Sequence, residues 1–488
     1  MHYIGTRNET ISATASQAIL KGICNDGGLF VPNEIPKMDK SLQELMEMDY
    51  KALAYEVLKL YLTDFTEEEL KYCIENAYDE KFDTTKIVPL VKKADALFLE
   101  LFHGKTLAFK DMALSILPYF MKIAAKKNGI DKEIVILTAT SGDTGKAALE
   151  GFADVEGTKI IVFFPEDGVS PVQKLQMTTQ EGKNTCVVGI RGNFDDAQSA
   201  VKSIFTDEQL SQKLEERGYL FSSANSINIG RLVPQIVYYF YAYMQAVKQG
   251  EITIGQKLNF TVPTGNFGDI LAGYYAKCMG LPVHHFVCAS NDNKVLYDFF
   301  ETGVYDKNRT FHVTVSPSMD ILISSNLERF LCQLAGQQKT KAWMEALQSK
   351  GSYETQELKN SEISGEYATE KETFEAIKKV YDQSGYVMDT HTAVAYASYE
   401  KYKNKTKDTT PMVIAATASP YKFAKDVMTA LDKSNAKEDT FALMKKLEAV
   451  SKVPIPESIR EIETKKVIHH HICEKENIKD FVTNYLLG

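Results

Sequence analysis

Six short, mostly apolar runs, all but one free of polar alternation, constrain this chain more than any other feature. They occupy residues 134–137, 160–164, 186–188, 258–262, 285–288 and 412–416. An unbroken run is what a strand needs when both of its faces are covered. Most of these runs stop at small or turn-forming residues and lead into a helical pattern; Pro165, for example, ends the second. Short buried strands alternating with helices predict an α/β fold built on parallel sheet from about residue 96. Before that point the chain reads mostly as helices, with periodic acidic stretches at 41–61 and 66–77. Residues 335–380 are polar and read as helical. The tail carries a helix, a Pro-spaced segment at 453–456 and a strand running to Ile468.

A length of 488 residues suggests about three domains. The patterns place an N-terminal helical domain at 1–95 and a catalytic α/β region at 96–435. A smaller subdomain within that region spans roughly 131–235, and a C-terminal extension follows at 436–488. The 56 basic and 65 acidic residues give a net charge of −9, which argues against nucleic acid as a partner. No stretch approaches the ~20 apolar residues of a membrane span. The first residues contain no apolar signal core. Seven cysteines without a CxxC pair read as reduced thiols, so cytoplasm is the expected location.

Three loops follow apolar runs and open helices. The first contains Ser141, Gly142, Asp143, Thr144 and Gly145. Its glycines let backbone approach a ligand, and free N–H groups at a helix start suit a carboxylate or phosphate. A plain capped helix N-terminus would look the same. The second contains Gly265, Asn266, Phe267, Gly268 and Asp269. It resembles an anion cradle, or an ordinary strand-to-helix turn, and fits neither the Walker loop nor the GxGxxG fingerprint. The third places Thr417 at a strand's carboxyl end, where parallel sheets hold ligands. A helix cap is the simpler account of that threonine. Arg231, at the head of an aromatic helix, is either a bidentate anion contact or a paired helix arginine.

Lys110 lies at a loop-to-helix junction, off the apolar stripe formed by 109, 112, 113, 116, 117, 120 and 121. A solvated helix lysine is the simple reading. A lysine whose charge is suppressed can instead form an imine with an aldehyde cofactor. In a parallel sheet the three loops gather on one edge. A lysine facing a phosphate cradle fits pyridoxal 5′-phosphate.

Several blocks carry a family resemblance: Thr6-Arg7, Ala18 to Gly22, Asp26 to Pro32, Lys110, Ser141 to Gly145, Asn225 to Asn228, Gly265 to Asp269, Thr417 and Lys422-Phe423. Together they make the chain similar to the longer class of threonine synthases. The resemblance implies the type II fold of pyridoxal-phosphate enzymes, with two parallel-sheet α/β subdomains and a mostly helical N-terminal region. It implies that Lys110 carries the cofactor as an imine and that the turn from Gly265 to Asp269 binds its phosphate. Thr417 would face the pyridine nitrogen, and the loop from Ser141 to Gly145 would hold the substrate carboxylate. The implied reaction turns O-phospho-L-homoserine and water into L-threonine and phosphate, and the implied assembly is a monomer. The rival within the same chemistry is a phospholyase or a threonine/serine dehydratase giving a 2-oxo acid. A non-catalytic ligand sensor is the alternative of another class. Two positions depart from the family pattern: Lys105 stands where proline is common, and Ser419 where histidine is common. Arg231, Lys146 and Lys105 are the candidate cations for the substrate phosphate. His469, His470 and His471 lack metal spacing, so no metal is expected there, and His103 reads as loop packing.

Overall fold

The apolar runs form two parallel sheets. The computed structural model describes residues 1–488 apart from Gly168 and Thr206. In the smaller sheet the strands run in the order His471–Glu474, Thr185–Arg191, Thr158–Pro165, Glu133–Ala139 and Tyr219–Ser222, all parallel. The larger sheet has the order Ile363–Tyr367, Val283–Ser290, Leu258–Pro263, Met412–Ala416, Ala96–Glu100 and Leu90–Lys93. Only its last pair is antiparallel.

The packing explains why the runs do not alternate. Ile134 and Ile136 join one apolar core, while Val135 and Leu137 join another on the opposite face. Met412 and Ile414 likewise pack on one side of the larger sheet, with Val413 and Ala415 on the other. Each such side chain contributes about 1.5–3 kcal/mol by leaving water, so a polar residue at either parity would be costly.

The N-terminal region is helical over Ala15–Lys21, Leu42–Met46, Tyr50–Tyr61 and Glu67–Ala77. It also holds a small antiparallel sheet of Tyr3–Gly5, Ser12–Ala13 and Phe30–Pro32. Thr66 and Glu69 close a reciprocal cap on the helix Glu67–Ala77, the pairing that a Thr-x-x-Glu spacing supplies.

Three expectations are corrected. The polar stretch 335–380 is not continuous helix: strands Ser352–Glu354 and Ile363–Tyr367 interrupt it, and the second forms an edge of the larger sheet. The alternation Ile-Ser-Gly-Glu-Tyr suits an edge better than a buried strand does, and it reads as polar. The tail strand lies at His471–Glu474 rather than ending at Ile468. Its register is set by pairing with Val188 to Arg191, which local sequence does not reveal. The segment after Thr417 begins as a single 3-10 turn, Pro420–Phe423, before the helix Ala424–Leu431. Pro420 lacks an N–H and starts a tight turn rather than an α-helix.

Candidate active site

The stretch around Lys110 folds as two helices, Asp111–Leu114 and Leu117–Lys127, with Lys110 as the cap residue of the first. Its loop is held from within and from without. The Thr106 N–H donates to Asp111 Oδ2 at 2.8 Å. A Cβ at Gly104 would sit 2.5 Å from that same oxygen, so glycine is required there. Leu107 adopts a left-handed φ of 61°, and Ala108 then pairs with Ala418. The Phe109 N–H donates to the Thr417 carbonyl at 2.8 Å, and the Ser419 N–H to the Leu107 carbonyl at 3.0 Å. The lysine loop and the Thr417 loop are thus laced together.

The Lys110 amine is buried. It donates to Ser318 Oγ at 3.4 Å, lies 4.0 Å from Asp143 Oδ2 and sits 4.8 Å above the centre of the Phe109 ring. Burial drives its pKa down to about 8; Asp143 opposes the shift, while Arg231 and Lys422 add to it.

Asp143 heads the helix Asp143–Phe152, behind Gly142 at a φ of 135°. Thr140 Oγ1 accepts from the Gly142 and Gly145 N–H groups at 3.0 and 2.8 Å. The Asp143 carboxylate meets Lys422 Nζ at 2.8 Å, Gln173 Nε2 at 3.1 Å and Ser318 Oγ at 3.2 Å. Burial alone would raise this carboxyl, but Lys422 and Lys110 hold it well below the usual range. Lys422 also donates to the Thr106 carbonyl at 2.8 Å, and its ammonium is fully buried. Ser141 and Thr144 are partly exposed on the same loop.

The turn before the helix Gly268–Cys278 completes the arrangement. A Cβ at Gly265 would stand 2.6 Å from the Ser318 carbonyl oxygen. Ser318 therefore touches both this turn and the Lys110 amine. Phe267 takes a left-handed φ of 63° as the cap residue and supplies no side-chain cap, leaving the first helical N–H groups open. Ser324 Oγ donates to the Gly265 carbonyl at 2.6 Å, and Asn326 holds the Asn266 carbonyl through its N–H at 3.0 Å. The Asp269 carboxyl faces inward, 2.6 Å from the Tyr238 hydroxyl and 2.7 Å from that of Tyr239. Burial raises it to about 6.

Arg231 is buried with no carboxylate partner among the described residues. Its Nη1 donates to the Ala224 carbonyl at 3.0 Å, and its Nε has no partner. An unpaired guanidinium in such a place is costly unless an anion joins it. Burial lowers it to about 10. The two other candidate cations are engaged elsewhere: Lys105 lies 3.3 Å and Lys146 3.0 Å from Glu150. Ser419 is buried and accepts from the Tyr421 N–H at 3.4 Å, so it caps the turn after Thr417. Thr417 itself is buried beside the lysine loop. His103 lies between Asp83 and Glu100 at the back of that loop.

Sequence reasoning missed Ser318, Asp389 and His391. Asp389 caps the helix Thr390–Thr406 and meets His391 Nδ1 at 2.7 Å. His391 Nε2 accepts the Ser318 N–H at 3.2 Å, which fixes the 3-10 turn Pro317–Met319 against the lysine. No periodicity marks that turn; the run Asp389-Thr390-His391-Thr392 before an apolar helix was the available signal.

A buried amine facing a glycine turn at an uncapped helix end, on parallel sheet, suits a phosphorylated aldehyde. The scaffold and these residues place the chain among the pyridoxal-phosphate-dependent enzymes of fold type II; residues 85–418 match the model of that family. Residues 2–78 match the model for the threonine synthase N terminus and residues 392–472 that for the threonine synthase C-terminal part. The chain belongs to the threonine synthase family. It is 38% identical over 466 residues to threonine synthase of Schizosaccharomyces pombe, covering 88% of this chain and 89% of that protein. It is 41% identical over 435 residues to human threonine synthase-like 1; the match covers 85% of this chain but only 58% of the longer human protein. A crystal structure of PLP-bound threonine synthase from Brucella melitensis superposes with a TM-score of 0.87 at 34% identity, each chain covered completely.

Proposed function

We propose that the protein is a carbon–oxygen lyase of threonine biosynthesis that converts O-phospho-L-homoserine and water into L-threonine and phosphate. The observation that carries this reading is the Lys110 amine, held near pKa 8 and joined through Ser318 to the Gly265 turn. At neutral pH roughly one such amine in ten is neutral, against about one in three thousand for an ordinary lysine.

The cofactor, when bound, supplies a conjugated electron sink beside the substrate Cα. Lys110 would hold it covalently, and the N–H groups of the turn from Gly265 through Asn266, Phe267 and Gly268 to Asp269 would seat its phosphate. Thr417 would face the pyridine nitrogen with a hydroxyl in place of a carboxylate, leaving that nitrogen largely unprotonated. Ser141, Gly142, Thr144 and Gly145 would bind the substrate carboxylate, with Asp143 bracing their loop through Lys422 and Gln173. Arg231 would pair with the substrate phosphate. Lys110, once free, takes the Cα proton and later returns it. The lacing of the Lys110 and Thr417 loops keeps that amine in place through successive proton transfers.

Seven thiols, none paired, support placement in the reducing cytoplasm. No helix among the described residues is long and apolar enough to cross a membrane. Incubation with phosphohomoserine tests the reaction: threonine and phosphate are expected, and accumulation of 2-oxobutyrate would instead establish a dehydratase-like phospholyase. Lys110→Ala protein is expected to lose the visible absorbance of the bound cofactor together with turnover; survival of both would show that another lysine carries the chemistry.

A further inference from the structure

Asp269 poses a proton-counting problem. Tyr238 Oη lies 3.0 Å from Gln235 Oε1 and 2.6 Å from Asp269 Oδ1. Tyr239 Oη lies 3.0 Å from the Asp269 carbonyl oxygen and 2.7 Å from the same Oδ1. Gln235 cannot be turned to relieve this, because its Nε2 donates to the Arg231 carbonyl at 2.7 Å. The four contacts are all oxygen to oxygen, and two phenols bring only two protons. An ionised Asp269 leaves two of these buried contacts empty. A proton on Oδ1 donates to one phenol oxygen and frees that phenol's own proton for Gln235 or for the backbone carbonyl. Asp269 Oδ2 is also buried without a partner, an uncomfortable state for a full negative charge.

The charge environment agrees. The titratable groups acting on Asp269 are Tyr238 and Tyr239 from the helix Gln235–Lys248 and, more weakly, Lys110; none is a close cation. Burial outweighs all of them and lifts the carboxyl to about 6 before any anion is present. Asp269 is the second residue of a helix whose open N–H groups are the phosphate seat of the preceding subsection. A dianion there repels a second negative charge and lifts the carboxyl further.

We infer that Asp269 takes up a proton on Oδ1 whenever a phosphate monoester dianion occupies the turn, so that anion binding and protonation are one event. The inference rests on the phosphate-seat reading above. It makes Asp269 a selectivity residue: the neutral carboxyl admits a dianion, and affinity falls as rising pH strips the proton.

The test is calorimetric titration of the full-length apoprotein with pyridoxal phosphate in buffers of differing ionisation heat at pH ~7.5, for wild type and Asp269→Asn; wild type should absorb between about half and one proton more per site. Lys110 is present in both proteins, so its own proton exchange cancels in the difference. Asparagine carries no charge, and its amide turned toward the tyrosines donates to the phenol oxygens as a protonated Oδ1 would. The variant's affinity at that pH should exceed that of wild type by about tenfold or more and lose its decline at high pH, because wild type must first protonate a carboxyl raised only to about 6. The difference infrared spectrum of the loaded proteins should show a protonated carboxyl band in wild type alone. Equal proton uptake, or carboxylate bands only, would overturn the inference. Gly265→Ala separates the two readings. Weakened binding to that variant with equal proton uptake would overturn the proton coupling while leaving the seat intact; unchanged binding would overturn the seat itself.

Discussion

Lys422→Met offers the sharpest check on the electrostatic account of the site. The Lys422 ammonium is fully buried and holds Asp143 at 2.8 Å, the Thr106 carbonyl at 2.8 Å and Gln176 Oε1 at 3.5 Å. Breaking a buried pair by removing one partner typically costs 3–5 kcal/mol, because the remaining charge is left desolvated. Here Lys110, 4.0 Å from Asp143, retains part of the compensation, and Gln173 and Ser318 still hydrogen-bond the carboxylate. That places the charge cost near the lower figure, about 3 kcal/mol. The Thr106 carbonyl loses a buried bond as well, worth about 1 kcal/mol. The expected loss is therefore about 4 kcal/mol, read by urea unfolding of the apoprotein with circular dichroism and a check that the m value is unchanged. Adding Asp143→Asn removes the stranded charge and should restore at least about 2 kcal/mol. A single-variant loss under about 1 kcal/mol, or a double variant no better than the single, would refute the claim that Lys422 braces the Asp143 loop.

Two other substitutions follow from the same geometry. Arg231→Met should raise the Michaelis constant for phosphohomoserine by about tenfold or more while cofactor affinity stays within about threefold, since a charge-assisted contact is worth about 1.5–3 kcal/mol; the reverse pattern would assign Arg231 to the cofactor. For His103, burial works against the charge, but hydrogen bonds to Asp83 at 2.5 Å and Glu100 at 3.0 Å prevail and lift its pKa to about 9. Folding then favours the protonated ring, so its stabilisation is complete below the unfolded value of 6.5 and disappears as pH rises through about 9. Urea midpoints between those limits should decline in wild type and flatten in His103→Gln; parallel slopes would show that the imidazolium contributes nothing.

The strands were legible because burial on both faces favours apolar residues, even though Asn259 and Thr261 are buried in the strand Leu258–Pro263, and the loops because each strand must hand its chain to a helix at one edge. Lys110 and Arg231 were legible as chemistry. Their surroundings were not, because they are assembled from distant segments. Ser318 sits on a turn without periodicity, and only its contacts with His391, Lys110, Asp143 and Gly265 give it meaning. Lys422 was visible as part of a block but not as the partner of Asp143, since that pair joins the loops of two different sheets. Asp269 belonged to the cradle by position, yet its carboxyl faces two tyrosines on a neighbouring helix, a direction no spacing rule conveys. The edge strand Ile363–Tyr367 was hidden by its polar alternate residues.

The smaller sheet has a history written into its wiring. Its outermost strand, which Arg191 joins through Glu474, arrives 283 residues after its neighbour. During synthesis the rim of Thr185–Arg191 must wait, unpaired and apolar, while four of the larger sheet's six strands are made. A nascent chain in that state is an open invitation to stick to its siblings, so the yield of soluble product should depend on chaperone supply more than on the robustness of the finished molecule.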